Sequence, residues 1–207
     1  RLVGSEMCIR DRLRSRCQGS EAIVTAVKET EKKVKAPKLY DLTTLQREAN
    51  RIYGMTAKQT LDTAQSLYEK KLITYPRTDS QYLTEDMEQT ARNVVRQIYE
   101  KYQLTGPFDQ PEQPDVKKVM NNSKVTDHHA IIPTMELASC HLDELKSWEE
   151  KILFLIAVHT VMAMSKDHIY QETEIEVECQ EEIFKAKGKI VLQDGCCLLY
   201  TSDAADD

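Results

Sequence analysis

The sequence predicts an α+β fold, mainly helical, on three observations. A short β-branched segment, Ala22-Ile23-Val24-Thr25-Ala26-Val27, reads as a strand near the start. The middle of the chain carries capping signals and helical apolar periodicity. Toward the end, Glu174-Ile175-Glu176-Val177-Glu178-Cys179 alternates with period two, as a strand with one solvated face does.

Each element follows in order. After the first strand, Lys28 to Lys38, closing on Ala36-Pro37-Lys38, reads as an exposed linker. Thr43 followed by Gln46 forms a capping-box signature for a helix through Tyr53, with Gly54 placed to stop it. Thr56 with Gln59 repeats the device for a helix over about Ala57 to Lys70, whose apolar face holds Leu61, Ala64, Leu67 and Tyr68. That helix delivers the chain into Ile73-Thr74-Tyr75, a short strand. Thr84 caps a further helix with Met87, Ala91, Val94, Val95 and Ile98 on one face, ending near Tyr102. Gly106, Pro107, Pro111 and Pro114 make residues 103–124 an irregular loop, of a length more often functional or mobile than filler. Ser147 with Glu150 opens a strongly apolar helix to about Met164, and Ile183-Phe184-Lys185-Ala186-Lys187 pairs with the last alternating strand after a turn.

Composition narrows the class. The longest apolar stretch, Ile152 to Met164, is interrupted by His159 and Thr160, so it fits a buried helix rather than a bilayer span. Cys17, Cys140, Cys179 and Cys196 form no Cys-x-x-Cys pair, which argues against zinc or a redox couple and for a reducing cytoplasm. The net charge of −6 argues weakly against nucleic acid, which usually meets a basic surface. Yet Asp203, Asp206 and Asp207 account for half of it, leaving −3 for the remainder. Arg47, Arg51, Lys58, Lys70, Lys71 and Arg77 cluster around Tyr75, and local sign matters more than the sum.

Both ends stand apart. Met7-Cys8-Ile9-Arg10-Asp11 can be encoded by ATG TGT ATA AGA GAC, and the complement of that DNA with AG added encodes Cys-Leu-Leu-Tyr-Thr, the sequence of Cys197 to Thr201. One short DNA read on opposite strands is what a sequencing adapter leaves, so residues 1–11 and 197–207 are set aside as non-native tails.

The chemistry concentrates in two motifs. In Ile73-Thr74-Tyr75-Pro76-Arg77-Thr78-Asp79-Ser80, Pro76 fixes its own φ and pushes Tyr75 toward extended backbone, aiming the phenol in a defined direction. A free tyrosine, with a pKa of about 10, is a poor nucleophile at neutral pH and needs positive charge beside the phosphate it attacks. Arg77 is the nearest candidate for that charge. About fifty residues on stands Asp127-His128-His129-Ala130-Ile131-Ile132-Pro133-Thr134, where a histidine adds a hydrogen bond. The plain alternatives are Arg77 paired with Asp79, Thr78 or Ser80 capping the helix near Thr84, and structural histidines.

Tyr75-Pro76-Arg77-Thr78-Asp79-Ser80 resembles the active-site strand of type IA DNA topoisomerases, and Asp127 to Thr134 resembles the histidine segment of the same family. The double histidine, together with Leu39 to Gln46 and Ala57 to Leu61, is most similar to the topoisomerase III branch, and the resemblance covers roughly Ala36 to Asp194. It implies a helical domain carrying the catalytic tyrosine, residues 39–166, inserted between strands of a β-rich arch domain, residues 12–38 and 167–196. It implies catalytic roles for Tyr75, Arg77 and His128, and DNA contacts from Thr78, Asp79, Ser80, His129, Thr134, Arg47 and Lys58. The expected reaction is cleavage and religation of single-stranded DNA through a 5′-phosphotyrosine. The resemblance implies Mg²⁺ on a Toprim domain outside this stretch, no metal site in this fragment, and a monomer in the bacterial nucleoid. DNA is the expected partner, with a helicase as a second one and no membrane. Two other readings stay open: a single-stranded DNA-binding module that does not cut, and a metal phosphoesterase built on Asp127-His128-His129, which lacks the further aspartates such a site needs.

Overall fold

The structure, a computed structural model, describes residues 5–104 and 114–196. Its contacts divide the chain into two compact units, one made of residues 5–34 with Ile169–Gln193 and the other of Lys35–His168 with residues 194–196.

The first unit holds helix α1 (Ser5–Cys17) and three strands, β1 (Ile23–Val34), β2 (His168–Cys179) and β3 (Glu182–Gln193), in the order β1-β2-β3. Strands β2 and β3 form an antiparallel hairpin in which Glu174 faces Lys187 and Glu176 faces Lys185. Each couple is an ion pair, and opposite charges placed directly across a ladder stabilise it modestly. The turn between them puts Gln180 at φ 51° and Glu181 at φ 66°, the left-handed pair that lets two residues reverse a twisted ribbon. β1 corrects the expected linker, because residues 28–34 are strand. Their alternating lysines and glutamates suit a two-sided polar strand beside the glutamate-rich β2, with Lys32 reaching Glu172 at 4.0 Å. Both β2 and β3 likewise run well beyond the short stretches that alternation marks. Helix α1 begins inside the segment set aside as a tail, and residues 197–207 lie outside the described residues.

The second unit packs α2 (Leu42–Tyr53), α3 (Ala57–Glu69) and α4 (Glu88–Tyr102) around α5 (Ser147–Ala163). α5 is buried on nearly all sides, and Ile152, Leu153 and Ile156 meet Leu45, Ala64, Leu67, Val94 and Ile98 in one core. Thr56 and Gln59 form the expected reciprocal cap of α3, and Gly54 closes α2 at φ 67°. Two caps differ from expectation. α2 starts two residues earlier, where Asp41 accepts from the Thr44 backbone at 2.7 Å and Thr44 Oγ1 accepts from Asp41 N at 3.1 Å. A short carboxylate at the helix start outcompetes the threonine because it also sits favourably at the positive end of the helix dipole. At α5, Glu149 rather than Glu150 reaches back, accepting from Lys146 N at 3.0 Å. Before α4, Thr84 opens a short 3₁₀ turn (Glu85–Met87) without a side-chain cap bond.

The irregular stretch after α4 contains 3₁₀ turns at Val116–Val119 and Asn122–Lys124, while Gly106, Pro107 and Pro111 lie outside the described residues. Gly195, at φ 52°, lies so close to the Asp167 backbone that an added Cβ would sit 2.4 Å from Asp167 O. Among the described residues no helix is long and apolar enough to cross a membrane.

Candidate active site

Tyr75 does not end a regular strand. Ile73 makes one isolated antiparallel bridge to Pro133, because the threonine that follows bonds through its side chain instead of its carbonyl. Thr74 N donates to Ile132 O at 3.0 Å, while Thr74 Oγ1 accepts from Ile132 N at 3.0 Å and donates to Ala130 O at 3.0 Å. Thr134 N donates to Leu72 O at 3.0 Å and closes the far side. The tyrosine segment and the histidine segment are thus held in fixed register, one residue from Tyr75 and two from His128.

Rings meet at that register. The Tyr75 and His128 ring centroids lie 4.4 Å apart, tilted by 46°. Tyr75 also meets Tyr68 edge-on, at 5.4 Å and 74°. Tyr75 is half-buried, and its hydroxyl makes no hydrogen bond among the described residues. His128 and Arg77 are exposed, and Arg77 forms no ion pair, with Asp79 or any other carboxylate, among the described residues. A phenol beside an imidazole, with a guanidinium two residues on that is unpaired among the described residues, leaves unspent donors for an anion.

The hydroxyls of the motif serve the scaffold. Thr78 and Ser80, expected DNA contacts, are buried here, 7% and 4% exposed. Thr78 Oγ1 donates to His128 O at 2.9 Å and accepts from Ser80 N at 3.1 Å, tying the two motifs together a second time. Ser80 Oγ donates to Lys124 O at 2.8 Å. Buried hydroxyls must be paired, and these two use the carbonyls of the histidine loop. Thr134 likewise spends its hydroxyl on Lys71 O and the Glu136 backbone. His129 turns Nδ1 to its own neighbour, Ala130 O, at 2.9 Å. Leu42 N donates to Thr78 O, and Ile131 N to Tyr40 O, so the start of α2 braces the same loops.

Arg47 and Lys58 are exposed, on α2 and on the first turn of α3, and share no bond or ring contact with the Tyr75 group among the described residues. Arg47 instead lines a pocket of about 300 Å³ with Lys38, Tyr40, Gln81 and His159. His159 stacks on Tyr40 at 3.7 Å and bonds Lys38 O through Nε2 at 2.7 Å. Burial pushes its pKa down to about 4, against the pull of that carbonyl, so it is neutral at pH 7.

A second layer, absent from the motif reading, fixes the turn behind Tyr75. Glu149 is 3% exposed and accepts from Ser66 Oγ at 2.7 Å and Lys70 Nζ at 2.6 Å, the residues that bracket Tyr68. Burial pushes its carboxyl up, but the bonds from Lys70, Ser66 and Lys146 N outweigh burial and hold its pKa at about 2. Lys71 then takes φ 60° to turn the chain from α3 toward Tyr75. Nothing in the spacing of Tyr68 distinguishes it from a core residue, so only the fold reveals its contact. Among the described residues no three His, Cys, Asp or Glu side chains gather as a metal-holding group, and Asp127-His128-His129 has no such set of its own.

Comparison with known proteins agrees. A family model described as DNA topoisomerase matches residues 7–207, a span that includes most of the residues set aside as adapter-like. DNA topoisomerase 3 of Bacillus subtilis (strain 168) is 39% identical over 202 residues, covering 96% of this chain and 28% of its own length. DNA topoisomerase 3 of Staphylococcus saprophyticus is 34% identical over 190 residues, covering 88% of this chain and 26% of its own length. Full-length topoisomerase I from Thermotoga maritima superposes with a TM-score of 0.65 at 24% identity, over 93% of this chain and 32% of that one, and supports the fold alone. The chain spans about a quarter of the length of the curated relatives it matches. On the family match and these relatives, the chain belongs to the type IA DNA topoisomerases and is topoisomerase III-like.

Proposed function

We propose that this chain is the tyrosine-bearing part of an enzyme that cuts and reseals single-stranded DNA. Tyr75 Oη attacks a backbone phosphorus, an O–P bond to the 5′ phosphate forms, and the P–O3′ bond breaks. The phenol gives up its proton and the departing 3′ oxygen takes one up. Because one ester replaces another, religation needs no nucleotide cofactor. Arg77 supplies the charge that stabilises the equatorial oxygens, and His128 donates a hydrogen bond to the same phosphate. Asp79, His129, Arg47 and Lys58 contact the strand. Thr78, Ser80 and Thr134 hold the loops that carry these groups. The observation that carries this reading is the half-buried Tyr75 ring against His128, its hydroxyl unbonded and Arg77, two residues on, unpaired among the described residues.

Mg²⁺ belongs to the reading as the ion of the longer parent, where a divalent cation neutralises phosphate charge. The described residues offer no three-ligand group to hold it, so no step here runs through it. The exposed Arg77, unpaired among the described residues, also supports a second reading for the chain by itself, that of a module that holds single strands without cutting. In the parent, strand passage through the gate, changing DNA topology, completes the reaction, with a helicase as partner and the bacterial nucleoid as its place.

The test uses the parent enzyme and a labelled single-stranded oligonucleotide. Tyr75→Phe removes the only oxygen that forms the bond and is expected to abolish the covalent protein–DNA adduct. An adduct that persists in Tyr75→Phe refutes the assignment.

A further inference from the structure

We infer that Tyr68 is a positioning residue for Tyr75, fixing the aim of its phenol through their edge-to-face ring contact. The inference rests on the nucleophile role proposed for Tyr75. Among the described residues the Tyr75 hydroxyl is unbonded and the ring contacts on it are His128 at 4.4 Å and Tyr68 at 5.4 Å, so packing orients the ring. An edge-to-face pair at this separation is directional, because the positive ring edge seeks the negative face. His128 is exposed on a loop, so it is the softer of the two walls.

Tyr68 is the stiffer wall despite being 39% exposed. It lies in the last turn of α3, between Ser66 and Lys70, and both of those side chains grip the buried Glu149 of α5. Its own carbonyl accepts from Lys71 N at 2.8 Å, at the left-handed residue that sends the chain toward Tyr75. An exposed tyrosine needs no such anchorage for packing. The arrangement runs from core helix α5, through Glu149 and the end of α3, to the ring beside the nucleophile.

Misplacing a reacting group by about 1 Å can cost on the order of 10²-fold in rate. Tyr68→Leu in the parent enzyme keeps apolar volume and removes the ring, while Tyr68→Phe keeps the ring and removes the hydroxyl. Single-turnover adduct formation at saturating oligonucleotide and the oligonucleotide Kd are measured for both, with thermal melting as the fold control. Tyr68→Leu is expected to slow adduct formation at least tenfold with Kd within twofold of wild type, and Tyr68→Phe to restore the rate to within threefold. Tyr68→Met serves in the same role if Tyr68→Leu melts early. A Tyr68→Leu rate within twofold of wild type overturns the inference while leaving the Tyr75 assignment intact. A raised Kd with an unchanged rate overturns it too, since Tyr68 then contacts DNA directly. An adduct in Tyr75→Phe instead removes the reading on which the inference stands.

Discussion

Glu149→Gln tests the buried anchor behind the site. In the folded chain the Glu149 carboxyl is held at about 2, against 4.5 for a free glutamate. That depression sets a ceiling of about 3 kcal/mol. The Lys70 side chain is 40% exposed, so water screens the pair and the expected loss at pH 7 is about 2 kcal/mol. The sign follows from the depressed value: the stabilisation is complete above pH 4.5 and is lost as pH falls from there toward 2. Trp148, the single tryptophan of the chain, neighbours Glu149 and reports unfolding of the helical unit by fluorescence. With a urea slope of about 2 kcal/mol/M, the variant's midpoint moves down by about 1 M at pH 7, and the gap narrows to about a quarter of that by pH 2.5. A midpoint unchanged at pH 7 refutes the reasoning, and so does a gap that stays constant down to pH 2.5.

Three further outcomes follow. His159→Phe keeps a ring against Tyr40 but removes a group whose pKa is depressed from 6.5 to about 4, so wild type loses stability as pH falls through that window and the variant does not; urea midpoints at pH 7, 5.5 and 4.5 check this. Gly195→Ala drives a Cβ to 2.4 Å from Asp167 O, at a φ that disfavours side chains, and is expected to cost about 2 kcal/mol or more in thermal unfolding. Arg77→Ala leaves the fold intact, since Arg77 is exposed and unpaired among the described residues, but slows adduct formation by about 10²-fold in the parent; an unchanged rate removes its proposed role.

The helices were legible because their signals are local. Thr56, Gln59 and Gly54 act within one turn of chain, and the apolar periodicity of Ala91 to Ile98 needs no partner to be seen. The cap of α2 was misplaced because Asp41 and Thr43 both carry capping side chains, and the dipole decides between them. Strand β1 was cut short because Lys28 to Val34 has no apolar face, and only the neighbouring β2 makes it a strand. In the candidate site, Tyr75 and His128 were visible as motif residues, and their ring contact is a fact of the fold. The buried use of Thr78 and Ser80 was not visible, since a hydroxyl reads alike whether it meets a phosphate or a carbonyl. Tyr68 and Glu149, some eighty residues apart, carry no shared pattern at all.

Thr74 occupies a rung where two backbones would ordinarily meet directly, and its hydroxyl both accepts from Ile132 N and donates to Ala130 O. The spacing of the Tyr75 and His128 segments is therefore held by one short side chain beside the direct bond from Thr74 N to Ile132 O. Serine preserves that length; valine matches the shape but cannot bridge, and would leave Ile132 N and Ala130 O, both on the histidine segment, without that partner. The seam between the Tyr75 and His128 segments is in this sense written in a single oxygen next door to Tyr75.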